Sequence, residues 1–179
     1  MRESERMEFW TKVLRLEGFE VVHCEEDAPG HLRRFTVIPT VPVAVCPHCG
    51  TACAEVHQRR TRERIKDLSM GTETVELTVR VLQFGCASCQ RAFTPPSAAL
   101  AEGAHATERF LQRAAALIRA SDIANVAAFL GVPEQTLEKW YYDYVERQRQ
   151  APATVPKPIR SLGIDELSLK KSTGSSSPS

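Results

Sequence analysis

Cys46-Pro47-His48-Cys49-Gly50 and Cys86-Ala87-Ser88-Cys89 are the stretches on which the reading of this chain turns. Each Cys-x-x-Cys pair closes two corners of a tetrahedron, and two such knuckles supply the four thiolates that a structural zinc ion prefers. Cys46, Cys49, Cys86 and Cys89 are therefore the expected zinc ligands. The interval between the pairs is longer than in a short finger, so it has room for extra strands. A redox dithiol calls for a thioredoxin-like βαβ context, which surrounds neither pair. Disulfides are disfavoured, because the chain opens on the charged Met1-Arg2-Glu3-Ser4-Glu5-Arg6 rather than on a signal peptide. Cys24, within Phe19-Glu20-Val21-Val22-His23-Cys24, reads as a small buried hydrophobe. Cys53, His48 and His57 stay open as substitute ligands.

The 179 residues suffice for one ordinary domain or two small ones, and 42% hydrophobic with 25% charged residues is a soluble globular composition. No apolar run approaches the ~20 residues needed to cross a bilayer, so no membrane partner is expected. Six cysteines without an export signal point to a reducing cytoplasm. A formal net charge of +1 gives no global pull toward nucleic acid, so any DNA binding has to come from local patches.

Outward from the knuckles, the pattern is α+β. Residues 8 to 23 read as a short helix, with Phe9, Val13, Leu14 and Leu16 as its apolar face, followed by a strand. Phe19 to Cys24 and Arg34 to Pro39 pair around the turn Asp27-Ala28-Pro29-Gly30 and lead into the first knuckle. Val75, Leu77, Val79 and Val81 alternate with mostly polar residues as a half-buried strand. Thr61 to Leu68 is its partner across the turn Ser69-Met70-Gly71-Thr72. The expected N-terminal unit, 1–98, is thus a hairpin plus a zinc ribbon, too small to hold together without its metal.

Residues 99–150 read as three short helices. Thr107 caps the first, which carries Phe110, Leu111, Ala114, Leu117 and Ile118. The second starts at Ser121, carries Ile123, Val126, Ala127 and Leu130, and stops at Gly131. The third runs from Pro133 to about Glu146. Small Ala127, the turn residue Gly131, Val132 at the corner, and Leu137 with Trp140 fit a helix-turn-helix; the competing reading is a helical hairpin used only for packing. In the first, Gln135, Thr136 and Lys139 face the major groove, where Gln matches adenine and Lys reaches guanine or phosphate. Glu134 and Glu138 weigh against it. Arg60, Arg62 and Arg64 in His57-Gln58-Arg59-Arg60-Thr61-Arg62-Glu63-Arg64-Ile65-Lys66 share one face of an ideal strand and form a phosphate track. The competing reading is a charged edge strand that resists aggregation. Residues 151–160 are an extended linker, and 172–179 a low-complexity tail expected to be disordered.

The order of parts resembles the ISL-three family of bacterial insertion-sequence transposases. The likeness rests on the two knuckles, on Arg91-Ala92-Phe93-Thr94 after the second, on the helix-turn-helix, and on Leu162-Gly163-Ile164-Asp165-Glu166-Leu167-Ser168-Leu169-Lys170-Lys171. It covers about residues 10 to 171. The resemblance implies that Asp165 is the first carboxylate of a DDE triad on an RNase H-like strand, at 161–171. A complete site of that kind holds two Mg²⁺ ions for DNA strand transfer. The family continues well past Lys171, so the chain is expected to be a truncated, catalytically incomplete front end. Its implied partner is the double-stranded DNA of element ends, alone or paired with a second copy or full-length transposase, in a bacterial, nucleoid-associated setting. The alternatives are an enzyme completed by a catalytic part in trans or by frameshifting, a free-standing zinc-ribbon and helix-turn-helix transcription regulator, and a zinc-stapled interaction protein without a DNA role.

Overall fold

The computed structural model describes residues 2–150, an α+β assembly with four helices and a mixed sheet. The expected linker, catalytic strand and tail (151–160, 161–171 and 172–179) lie outside these residues.

Helix α1 (Glu3–Leu14) places Glu3 and Glu5 in its first turn, where they oppose the positive end of the helix dipole. It packs on strand β1 (Phe19–Asp27), burying Leu14 and Leu16 with Met7 and Trp10 beside them. This corrects the expected apolar face, since Phe9 and Val13 are 50% and 43% exposed. The helix starts well before residue 8, and its core stripe is Met7, Trp10 and Leu14, at i, i+3 and i+7. Thr11 Oγ1 accepts the Val21 N–H at 2.8 Å, next to the point where β1 bulges between Val21 and His23.

Strand β2 (Leu32–Pro39) returns antiparallel to β1, from Asp27↔Leu32 to Phe19↔Pro39. Strands β3 (Ala44–Val45) and β4 (Ala52–Cys53) form a separate two-stranded sheet around the first knuckle. The long strands β5 (Val56–Met70) and β6 (Glu73–Gly85) then reverse at Gly71, whose φ of 61° suits glycine. Strand β7 (Ala92–Phe93) pairs with the end of β6. The main sheet runs β1-β2-β6-β5, and β2 lies parallel to β6 from Leu32↔Thr74 to Val37↔Val79. The sequence reading sets the first hairpin ahead of the ribbon; the parallel ladder makes it part of the same sheet.

Strand β6 serves two cores on opposite faces. Its odd residues Val75, Leu77 and Val79 join Phe35, Val37 and Ile65 in one core with Leu14 and Leu16. Phe84, of opposite parity, joins Phe93, Ala44, Cys46, Cys53 and Cys86 around the knuckles.

After β7 the chain docks back on β5: Lys66 N–H donates to His105 O and Thr107 N–H to Lys66 O, each at 2.9 Å. Helix α2 (Glu108–Ile118) follows, with the Thr107 hydroxyl accepting the Phe110 N–H at 3.3 Å. Helix α3 (Ile123–Leu130) starts after the expected Ser121, capped by Asp122, whose carboxylate accepts the Asn125 N–H at 2.8 Å. Gly131, at φ 61°, ends it. Helix α4 (Glu134–Gln150) continues past the expected end near Glu146. Phe110, Leu111, Ala114, Ile118, Val126, Ala127, Val132, Leu137, Trp140 and Tyr144 form their common core. Leu130 is half-buried at its margin.

One buried carboxylate joins the sheet to the helices. Asp67 on β5 accepts from Thr107 Oγ1 and from Arg109 Nε, both at 2.7 Å. Arg109 Nη1 also donates to Leu14 O at 2.8 Å, so one guanidinium ties the end of α1, β5 and the start of α2. The Asp67 side chain has no exposed surface. Removing its cation strands a charge in the interior, and Arg109→Ala is expected to lower stability by about 3–5 kcal/mol in urea denaturation. Arg109→Lys should recover only part, because a lysine cannot reproduce the forked contacts.

Candidate metal centre and nucleic-acid interface

The two knuckles are built alike. Cys46 O accepts the Gly50 N–H and Cys86 O accepts the Gln90 N–H, both at 2.9 Å. Cys46 N–H donates to Thr51 O and Cys86 N–H to Arg91 O, again at 2.9 Å. The equivalent residues Gly50 and Gln90 both take left-handed conformations, with φ of 74° and 58°. Glycine adopts that geometry freely, and Gln90 is held there by its own amide, which donates to Ala87 O at 2.7 Å.

The four cysteine sulfurs converge, all within 4.8 Å of one another. Cys46 Sγ lies 3.7 Å from Cys89 Sγ, and Cys49 Sγ lies 3.5 Å from Cys86 Sγ. A tetrahedral zinc with bonds of about 2.3 Å sets its sulfurs about 3.8 Å apart. A disulfide needs about 2.05 Å, so the set suits one structural zinc and not two bridges. The Cys89 backbone N–H, with help from Ser88 and the neighbouring thiols, brings Cys86 down to about 6 against the opposing effect of burial. Thr51 lowers Cys49 as well. The site thus favours the thiolate form at two of its four corners. The Thr51 and Ser88 hydroxyls meet at 3.2 Å and fasten one knuckle to the other.

The substitute ligands stand outside this set. Burial, with the nearby thiols, pushes Cys53 up to about 11, and its sulfur lies against Thr51 O at 3.4 Å. His48 Nδ1 meets Arg91 Nη1 at 3.4 Å, and His57 is exposed. Cys46→Ser or Cys89→Ser is expected to abolish stoichiometric zinc, read by elemental analysis, and to unfold the ribbon. The α2–α4 signal in circular dichroism should largely survive, because that unit has its own core.

The residues expected to touch DNA fall into different surroundings. Gln135 and Lys139 are exposed on the first turns of α4, Thr136 is half-buried, and Lys139 Nζ is paired with Asp143 at 2.7 Å. On β5, Arg60 is exposed with Nε bonded to Gln58 Oε1 at 3.1 Å, whereas Arg62 Nη2 donates to Ala104 O at 2.9 Å. The expected row of Arg60, Arg62 and Arg64 needs correction. Arg60 and Arg62 oppose Val81 and Val79, but the register then slips between Arg62 and Ile65. Arg64 sits in that bulge at φ 55°, so strand alternation does not carry the row on to it. Asp165 lies outside the described residues. The sequence reading missed Asp67, Arg109 and the second role of the Thr107 cap as a donor to Asp67, although an acid two residues from buried Ile65 on a strand already signals a required partner.

Residues 42–89 match the zinc-finger of transposase IS204/IS1001/IS1096/IS1165, an ISL3-type zinc ribbon. The chain is also similar to the transposase for insertion sequence element IS1001 of Bordetella parapertussis, 29% identical over 158 residues. That likeness covers 86% of this chain, which spans 37% of the length of that relative. No solved structure matches it. The matched ribbon, with the four-sulfur cluster inside it, is similar to that of ISL3-type transposases, and the likeness along most of the chain is to an insertion-sequence transposase.

Proposed function

We propose that the chain is the DNA-binding front portion of a transposase, recognising the terminal inverted repeats of an insertion sequence. In this reading α2, α3 and α4 act as a helix-turn-helix, and α4 enters the major groove. The observation that carries it is the junction of α3 with α4. Buried Val126 and Ala127, left-handed Gly131, and buried Val132 and Leu137 lock the start of α4 against α3, while Gln135 and Lys139 stay in solvent. The zinc ribbon and sheet give that reading head a rigid base through the Asp67–Arg109 contact.

Two features work against tight binding by α4 alone. Glu134 and Glu138 are exposed on the same helix, and Lys139 is engaged by Asp143. An exposed pair of that kind is worth less than about 1 kcal/mol, so a phosphate or a guanine can displace it. The larger share of affinity therefore falls to the ribbon and sheet, where Arg60 is exposed. Among the described residues the cysteine set is the one group with metal-ligating geometry, so Mg²⁺-dependent strand transfer is not assigned to them. No helix among them is long and apolar enough to cross a membrane.

Footprinting and mobility shifts on duplexes carrying the element ends test this reading. Replacing Gln135 and Lys139 together with Ala should reduce discrimination between an inverted repeat and a scrambled duplex by about 1–3 kcal/mol per lost base contact. Helical content should be unchanged, because both side chains are exposed. Equal affinity of the unaltered protein for every duplex would overturn the assignment, and protection confined to a promoter operator would favour a regulator.

A further inference from the structure

We infer that the outer face of the β1-β2-β6-β5 sheet is a docking surface for the phosphate backbone of duplex DNA, with Arg64 at its centre. The inference rests on the DNA-binding role above and extends it to residues that role does not use: Arg34, Arg59, Lys66 and Arg80.

The face is defined by parity. On β6 the odd residues Val75, Leu77 and Val79 are buried, so Glu76, Thr78 and Arg80 stand on the opposite side of the sheet. Their ladder partners stand there too: Arg34 and Lys66 beside Glu76, Thr36 beside Thr78, Thr61 beside Arg80, and Arg59 beside Leu82. The bulge adds Arg64 to this face. It lines a shallow pocket of about 290 Å³ together with Arg34, Glu63, Glu76 and Thr78. Along the sheet, successive outward rows thus carry Lys66 with Arg34, then Arg64, then Arg80, then Arg59. Alternate residues on a strand lie about 6.7 Å apart, so the cations recur at an interval suited to successive phosphates.

Most of these charges are free to engage an anion. The Glu76 carboxylate is held by Lys66 at 3.0 Å and by Arg34 at 3.6 Å. No ion pair among the described residues involves Arg59, Arg64 or Arg80, and all three are exposed. Thr36, Thr61 and Thr78 lie between them and supply hydroxyl donors of the kind that bind phosphate oxygens. A non-glycine residue at φ 55° is costly, and here it holds a cation out of the ladder on the polar side of the sheet. Arg62 contrasts with it, being bonded to Ala104 O. Glu63 opposes an incoming phosphate, and Glu20 and Glu25 on β1 leave that margin acidic, which confines the contact to β5, β6 and the adjoining part of β2.

The test is the salt dependence of binding to two 30-base-pair duplexes of unrelated sequence, with full-length, zinc-loaded protein. Arg64→Gly removes the charge but keeps a residue suited to φ 55°, so the fold is retained. Arg64→Gly and Arg80→Gln should each reduce the slope of log K against log salt by about 0.9, equally for both duplexes. Glu63→Gln should tighten binding at low salt, which a purely structural role for this loop would not produce. Arg6→Gln, on the exposed side of α1, whose Trp10 and Leu14 pack into the core on the opposite face of the sheet, should leave the slope unchanged. Unaltered slopes in Arg64→Gly and Arg80→Gln, with the parent protein still binding, overturn this surface and leave the α4 reading standing. Absence of binding by the parent protein overturns both.

Discussion

Four sulfur atoms drawn within a few ångströms cannot all be thiolates unless a cation stands between them, and most of the N-terminal half depends on that condition. The two knuckles lie together at the open end of the β5–β6 hairpin, one ahead of β5 and one after β6, so one ion fixes the start of β5 against the end of β6. The short strands β3, β4 and β7 bury little by themselves. Phe84, Phe93 and Ala44 have a core to enter because the ion holds their strands together. The backbone amides that lower Cys86 belong to the same turn that places its sulfur, so geometry and ionisation are set by one local structure.

From this centre the order passes along β5 to the helices. The strand begins beside the knuckles and, near its far end, carries Asp67 into a buried contact with Thr107 and Arg109. Arg109 reaches the last carbonyls of α1 as well. The position of α2 relative to the sheet is therefore set by charge and hydrogen bonding rather than by apolar contact alone. Such contacts are directional, and a DNA-binding protein with two separate surfaces needs direction. The surfaces proposed here, the start of α4 and the outer side of the sheet, act on one duplex only if their relation is fixed.

The strongly periodic elements were legible in the sequence. Paired cysteines, the alternation from Val75 to Val81, the Thr107 cap and Gly131 each reveal a local rule, and each element lies where that rule puts it. The misreadings have a different origin. The apolar face of α1 was shifted because Phe9 and Val13 are as apolar as Met7 and Leu14, and only the packing partner distinguishes them. The row of three arginines assumed an unbroken strand, and nothing in Arg62-Glu63-Arg64 announces a bulge. The parallel pairing of β2 with β6 is invisible locally, since each strand alone satisfies its alternation with any partner. Asp67 was legible in principle, as an acid at an inward position, but its partners lie some forty positions away.

That parallel ladder also bears on how the chain reaches its native form. Leu32 and Thr74 are far apart in the chain, and closing such a loop carries an entropic penalty before any contact rewards it. Once the knuckles are joined, the route from β2 to β6 runs through Cys46 and Cys86 and becomes short. The ion thus does more than clamp the ribbon: by shortening that loop it lowers the entropic cost of the parallel ladder on which the central sheet is built.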